Sequence, residues 1–157
     1  LDGGFKKWKL ENKETTNILP VIKQSIYKVF EKQELVKNKK QIDKNIINKG
    51  FLVVDARSRS RFKGEEPEPR KGLRSGSVPN SLCLPFKECI NEDHTFKKKK
   101  ELLTKFKSIL GDELTENVVF SCGSGVTASV LALAYSLINN KYVPTIYDGS
   151  WSEYGKF

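Results

Sequence analysis

At 157 residues the chain fits one domain with a substantial core, and with 30% charged and 38% hydrophobic residues it is expected to be soluble and ordered. It has no run of about 18 apolar residues, so no membrane-spanning helix is expected. The net charge of +9 would allow contact with nucleic acid or an acidic membrane. However, Lys is mixed with Asn and Ile, as in Lys37-Asn38-Lys39-Lys40 and Asn45-Ile46-Ile47-Asn48-Lys49, as much a compositional bias as a binding stripe. Neither nucleic acid nor a membrane is therefore expected as a partner. Cys83, Cys89, Cys122 and the single histidine, His94, form no metal-ligand pattern, so no metal site is expected. An odd cysteine count without a disulfide framework suits a reducing compartment, the cytoplasm or alternatively the mitochondrion. The chain has no methionine and begins mid-pattern, so any targeting peptide is expected to lie outside it.

Leu1-Asp2-Gly3-Gly4-Phe5-Lys6-Lys7-Trp8 opens the chain, and Tyr147-Asp148-Gly149-Ser150-Trp151-Ser152-Glu153-Tyr154 nearly closes it. Both read apolar, Asp, Gly, small, aromatic, with a second aromatic three positions on. The match predicts that the chain opens on the last turn of a preceding domain of the same kind. Glu11 to Ile18 is polar and reads as a linker. Residues 1–20 are thus expected to be a domain tail plus linker, and residues 21–157 a domain.

Val21 to Phe30 alternates loosely and predicts a first strand near Ser25–Val29. Glu34 to Asn48 places Leu35, Val36, Ile42, Ile46 and Ile47 on one face of an amphipathic helix, with Gly50 as its C-terminal cap. Phe51-Leu52-Val53-Val54 is a continuous apolar run, the pattern of a buried parallel strand. Asp55 follows at its carboxyl end, where open α/β sheets place their sites. Arg57 to Arg74 contains two prolines and two glycines, and regular structure is excluded for much of it. A long loop with several guanidinium groups at that position is a functional candidate. Gly76 to Phe86 reads as a turn and a short strand. Cys83 and Cys89 read as small core hydrophobes and His94 as a surface residue. Lys97 to Lys100 starts a helix through about Leu110, and Tyr142 to Tyr147 forms the last strand. Strand and helix alternate throughout, which predicts a parallel sheet with helices on both faces.

The richest stretch is Val118-Val119-Phe120-Ser121-Cys122-Gly123-Ser124-Gly125-Val126-Thr127. It predicts a buried strand, a glycine turn that points N–H groups inward, and a buried helix from Thr127 to about Asn140. A cysteine between that strand and that helix faces converging N–H groups and the positive end of the helix dipole, which stabilise a thiolate. The plainer alternative, a structural cysteine at a strand end, leaves Gly123 and Gly125 unexplained.

Cys122-Gly123-Ser124-Gly125-Val126-Thr127 resembles the active-site loop of the mercaptopyruvate sulfurtransferases, members of the rhodanese superfamily. The thiosulfate branch usually carries basic residues just after the cysteine, where Gly123 and Ser124 stand. The phosphatase cousins need a His before the cysteine and an Arg six positions after it, where Ser121 and Ala128 stand. Arg61-Phe62-Lys63-Gly64-Glu65-Glu66-Pro67-Glu68-Pro69-Arg70 resembles the family's substrate-arginine segment, with Arg61 and Arg70 matching its two carboxylate-binding arginines. Arg57 and Arg59 have weaker claims. Gly76-Ser77-Val78-Pro79-Asn80 resembles the family's Gly-His-Ile-Pro-Gly element, with Ser77 and Asn80 in place of His and Gly.

The resemblance implies a rhodanese-like three-layer α/β/α fold with a five-stranded parallel sheet. It implies that Cys122 takes sulfur from 3-mercaptopyruvate as a persulfide, releases pyruvate, and passes the sulfur to thioredoxin or a small-thiol acceptor. In that scheme the N–H groups of residues 123–127 stabilise the sulfur anion, Ser124 relays a proton, and Thr127 donates to Cys122. No metal or organic cofactor is called for. The family architecture also implies a preceding rhodanese domain of the same chain as a partner. Two alternatives stay open: a thiosulfate sulfurtransferase, and a non-catalytic interaction module with a dormant cysteine.

Overall fold

The apolar run ending at Val54 and its counterpart at Val118–Phe120 become adjacent strands at the centre of a parallel sheet. In the computed structural model, which describes residues 1–157, the sheet has five strands in the order β1-β5-β4-β2-β3. These are β1 (Val36–Lys37), β2 (Leu52–Asp55), β3 (Leu82–Cys83), β4 (Val118–Ser121) and β5 (Ile146–Tyr147). All neighbouring strands pair in parallel, and the longest register runs from Leu52 opposite Val118 to Asp55 opposite Ser121. The helices are α1 (Gly4–Leu10), α2 (Lys39–Asn48), α3 (Arg59–Lys63), α4 (Lys99–Leu110), α5 (Val126–Ser136) and α6 (Ser150–Tyr154). Three layers result, as expected.

Side chains alternate across a strand, so a strand buried on both sides must be apolar throughout. Val54, Val118 and Phe120 face a cluster built with Leu102 and Phe106 of α4 and Leu131 and Tyr135 of α5. Val53 and Val119 point the other way, to Ile42 of α2 and Trp151 and Tyr154 of α6. In the larger cluster the Phe106 ring lies 4.9 Å from Tyr135 and 6.1 Å from Phe120, in tilted and edge-on contacts that aromatic quadrupoles favour. The Tyr135 hydroxyl donates to Thr115 O at 2.7 Å, so its burial leaves no polar group unpaired.

Several local expectations change. No strand forms near residues 25–29; the stretch is irregular and Ile26 is 96% exposed. The edge position goes to Val36–Lys37, which pairs with Ile146–Tyr147. The helix expected from Glu34 starts instead at Lys39, because Asn38 caps it: Asn38 Oδ1 accepts from Gln41 N and Gln41 Oε1 accepts from Asn38 N. That cap leaves Leu35 in a 3-10 turn and Val36 in β1. The residue that ends α2 in the left-handed region is Lys49, one before Gly50. The arginine segment is not wholly irregular, since Ser58 caps the short helix α3 within it. Tyr142 to Thr145 stays outside the last strand. α5 ends at Ser136 and is not buried all round: Leu133 is half exposed.

Asn80, where the resembling element has glycine, has φ 63°. Asn is the residue after glycine that best tolerates this region, and its amide donates to Ile46 O at 3.2 Å, tying the turn to α2. Asn80→Val should therefore lower stability by about 1–2 kcal/mol in denaturant unfolding, and Asn80→Gly by under about 0.5 kcal/mol. Equal losses would show that the backbone conformation is not what selects this residue.

Candidate active site

β2 and β4 end side by side, and the segments leaving them form a cavity of about 480 Å³ at the carboxyl edge of the sheet. Cys122, Gly123, Ser124, Arg61, Arg70 and Thr127 all line it. Residues far apart in sequence are thus brought together as the sequence suggested.

Cys122 follows β4 directly and is 2% exposed. Ser124 N donates to its Sγ at 3.4 Å. Among the loop N–H groups expected to converge on sulfur, this is the one that reaches it. Gly125 N is drawn instead to the Ser150 hydroxyl at 3.1 Å, and Cys122 N donates to the same hydroxyl at 3.0 Å. Ser150 in turn donates to Tyr147 O at 2.8 Å and stands 4.0 Å from Cys122 Sγ. Thr127 makes no hydrogen bond to the sulfur, contrary to expectation; the hydroxyl that approaches it is that of Ser150. The N–H groups of Gly123, Val126 and Thr127 have no partner within the protein, the last two because they stand in the first turn of α5.

The glycines of the loop have separate reasons. Gly125 has φ 81°, and a Cβ there would lie 2.7 Å from Asp148 Oδ1 and 3.0 Å from Asp148 O. Gly123 allows the arginines to approach, since a Cβ there would meet Arg61 Nη2 at 3.2 Å.

The two arginines differ in their surroundings. Arg70 Nη2 donates to Ser124 Oγ at 3.1 Å and Nη1 to Gly123 O at 3.3 Å, so it touches the loop directly. Arg61 is held bidentately by Glu68, at 3.2 Å through Nε and 2.5 Å through Nη2. Glu68 also accepts from Arg57 Nη1 at 2.6 Å. Burial pushes the Glu68 carboxyl up, but hydrogen bonds and charge from Arg61 and Arg57 outweigh it and hold it below the usual carboxylate range. Arg57 is 3% exposed, chelated by Asp55 at the end of β2, and stacked 4.6 Å over Trp151. Arg57 is therefore a structural group. Arg59 points away from the loop, to Glu88 at 2.7 Å.

Glu68 and Ser150 were not singled out for the site by sequence reasoning. A lone acid between prolines, Pro67-Glu68-Pro69, could have flagged the first. The second sat in the repeated Asp-Gly motif, where a serine at 150 faces a glycine at 4.

The other two cysteines are disfavoured as thiolates. Burial first and the Asp55 charge second push the Cys83 thiol up to about 11, and burial pushes Cys89 up to about 12. His94 is exposed. At pH 6–7 iodoacetamide should modify Cys122 at least about tenfold faster than either, because the thiolate is the nucleophile. Peptide mass mapping after brief labelling measures this, and equal labelling of all three would remove the basis for an activated cysteine.

The family of rhodanese-like domains matches residues 38–156. The 3-mercaptopyruvate sulfurtransferase of Mus musculus is 35% identical over 154 residues, covering 98% of this chain and 51% of that protein. The thiosulfate sulfurtransferase of Bos taurus is 36% identical over 155 residues, covering 98% and 52%. The crystal structure of SseA from Escherichia coli, described with the fold and mechanism of 3-mercaptopyruvate sulfotransferases, superposes with a TM-score of 0.70. It is 27% identical and the match covers 93% of this chain and 53% of that one. The chain thus spans about half the length of the relatives it matches.

Proposed function

We propose that this chain, which belongs to the rhodanese-like domain family, is a sulfurtransferase domain that moves sulfur from 3-mercaptopyruvate to a thiol through a persulfide on Cys122. The observation that carries this reading is the placement of Cys122 Sγ at the floor of a cavity, under a hydrogen-bond donor from Ser124, with Arg70 and Arg61 beside it.

The Cys122 thiolate attacks the donor sulfur, and the carbon–sulfur bond breaks with its electron pair going to the pyruvate enolate. The donor's thiol proton passes to the enolate carbon, with the Ser124 hydroxyl as relay. Pyruvate leaves, and the Cys122 persulfide anion is stabilised by the Ser124 N–H and by the unpartnered N–H groups of Gly123, Val126 and Thr127. A thiol acceptor, thioredoxin or a small thiol, then attacks the outer sulfur and restores Cys122. Arg70 and Arg61 bind the donor carboxylate, and Glu68 fixes the plane of the Arg61 fork. The bovine relative favours a second donor, thiosulfate.

Residues 1–20 are read as the tail of a preceding domain and a linker. In support, Asp2-Gly3 and Asp148-Gly149 both lead into short helices, α1 and α6, and the equivalent Gly4 and Ser150 share positive φ values of 60° and 47°. Three free cysteines fit a reducing compartment, cytoplasmic or mitochondrial.

Cys122→Ser should abolish both the persulfide, read by intact mass, and pyruvate release. A protein that never acquires a persulfide from mercaptopyruvate would instead be an interaction module. Arg70→Lys should raise the Michaelis constant for mercaptopyruvate about tenfold or more, as loss of a charge-assisted bond of roughly 1.5–3 kcal/mol requires. Its thermal midpoint should stay put, because Arg70 carries no ion pair. Arg61→Lys should raise the constant and also destabilise, because buried Glu68 loses its bidentate partner. An unchanged Michaelis constant in both variants would place carboxylate recognition elsewhere.

A further inference from the structure

Cys122 is buried at the floor of its cavity, so whatever takes sulfur from it must come through the mouth, and the mouth has a composition of its own. The cavity-lining residues that are themselves exposed are Ser58, Pro69, Arg70, Lys87 and Val126, among which there is no carboxylate. Deeper in, Asp55 and Glu68 are spent on Arg57 and Arg61. Arg70 meets only a carbonyl and a hydroxyl. Lys87 stands in the 3-10 turn Phe86–Cys89 that follows β3, and the adjacent Glu88 is engaged by Arg59 at 2.7 Å and Lys105 at 3.2 Å. The Lys87 ammonium is therefore left without a carboxylate. The apolar part of the mouth continues outside the cavity. Val126 opens α5 and is 72% exposed, and Val130 and Leu133 follow on the same helix face, half-buried and 50% exposed. This apolar row runs about 10 Å from the mouth along the helix.

A small thiol fits the cavity but cannot reach that row, whereas a protein surface can cover the mouth and the row at once. Such a surface must carry charge opposite to Arg70 and Lys87, because a cation covered without a partner is costly. We propose that the mouth of the cavity and the exposed row of α5 form the docking surface for a protein thiol acceptor whose reactive cysteine is bordered by carboxylates and apolar side chains. The inference rests on the sulfur-transfer reading and names the partner of its second step. In that step the acceptor's thiol proton passes to the outer sulfur of the Cys122 persulfide anion. The acceptor thiolate attacks that sulfur, the sulfur–sulfur bond breaks, and its electron pair returns to Cys122. The acceptor leaves as a persulfide, with one negative charge before and one after. Lys87 acts here by steering, since rim charges raise the rate of encounter and make it sensitive to salt.

The test uses the whole chain with three acceptors: 2-mercaptoethanol, an end-capped peptide with one cysteine between glutamates beside a row of leucines, and the same peptide with glutamines. Single-turnover loss of the Cys122 persulfide, loaded from mercaptopyruvate, is followed by intact mass. The glutamate peptide should outpace the glutamine peptide about tenfold, roughly threefold for each free cation. The two should converge at about 1 M salt, where the Debye length is about 3 Å. Lys87→Gln should lower the ratio about threefold, and Lys87→Glu should abolish the preference. Leu133→Ser should slow both peptides about fivefold. None of these substitutions should change the rate with 2-mercaptoethanol. A second measurement needs no persulfide: each peptide is supplied as its mixed disulfide with 2-mercaptopyridine. The Cys122 thiolate attacks the peptide sulfur, and the pyridine thiol released is read by absorbance against a Cys122→Ser blank, with the same ratios expected. If no persulfide forms from mercaptopyruvate, the sulfur-transfer reading fails, and this exchange still decides the docking surface. Equal rates for the two peptides, a ratio that Lys87→Gln leaves unchanged, or peptide rates that Leu133→Ser leaves unchanged would overturn the proposal.

Discussion

One buried guanidinium organises the carboxyl edge of the sheet. Taking an ion of this size out of water costs several kcal/mol, and the cost is offset only where every donor is met. Arg57 comes close to that condition, with a partner for each of its three side-chain nitrogens. Its Nε and Nη2 grip Asp55, its Nη1 reaches Glu68, and Nη2 also donates to Gly76 O at 2.8 Å. Its flat face lies on Trp151 of α6. The end of β2, the middle and end of the arginine segment, and the last helix are thereby joined at one side chain. Removing Asp55 would leave the buried guanidinium with Glu68 alone, a carboxylate that Arg61 already shares.

The consequence for the site is rigidity in a segment with little regular structure. Glu68, fixed by Arg57, holds Arg61 in plane. The far end of the segment is clamped as well. Trp151 Nε1 donates to Arg74 O at 2.8 Å, and Arg74 N donates to Gly155 O at 2.9 Å. Arg70 is carried between these anchors and arrives against the cysteine loop without an ion pair of its own. A guanidinium left free in this way can bind an incoming anion without first breaking a salt bridge, whereas Arg61 must share.

The cysteine loop depends on the same C-terminal element by a different device. The Ser150 hydroxyl accepts from Cys122 N and Gly125 N while donating to Tyr147 O. One hydroxyl thus turns two loop amides away from the cavity and leaves the helix-terminal amides open. Preorganisation of this kind costs nothing at the moment of reaction, because the donors need not reorient. It also explains why Ser150 tolerates φ 47°: three hydrogen bonds over-determine its position.

What the sequence by itself determined follows from short-range rules. Continuous apolar runs at Phe51–Val54 and Val118–Phe120 can be satisfied only by strands covered on both faces, and the alternation with helical patterns implies a parallel sheet. The Cys122 loop and the pair Arg61 and Arg70 were legible because each is a compact local motif. The first strand was not legible: Val21 to Phe30 and Val36–Lys37 are both β-prone. Only pairing with Ile146–Tyr147, about 110 residues away in a parallel register, selects between them. The tertiary structure alone decided which charges are spent and which are free. The sequence sets Arg61 and Arg70 above Arg57 and Arg59 only by resemblance, leaves Arg61 and Arg70 equivalent, and shows Lys87 as one lysine among many. Burial, and the few carboxylates within reach, make Arg57 a structural pin, Arg61 a shared group, and Arg70 and Lys87 the open charges. Ion pairing acts through space over a few ångströms, between residues of this region as far apart as Arg59 and Glu88, 29 positions, so no local pattern in the chain encodes it.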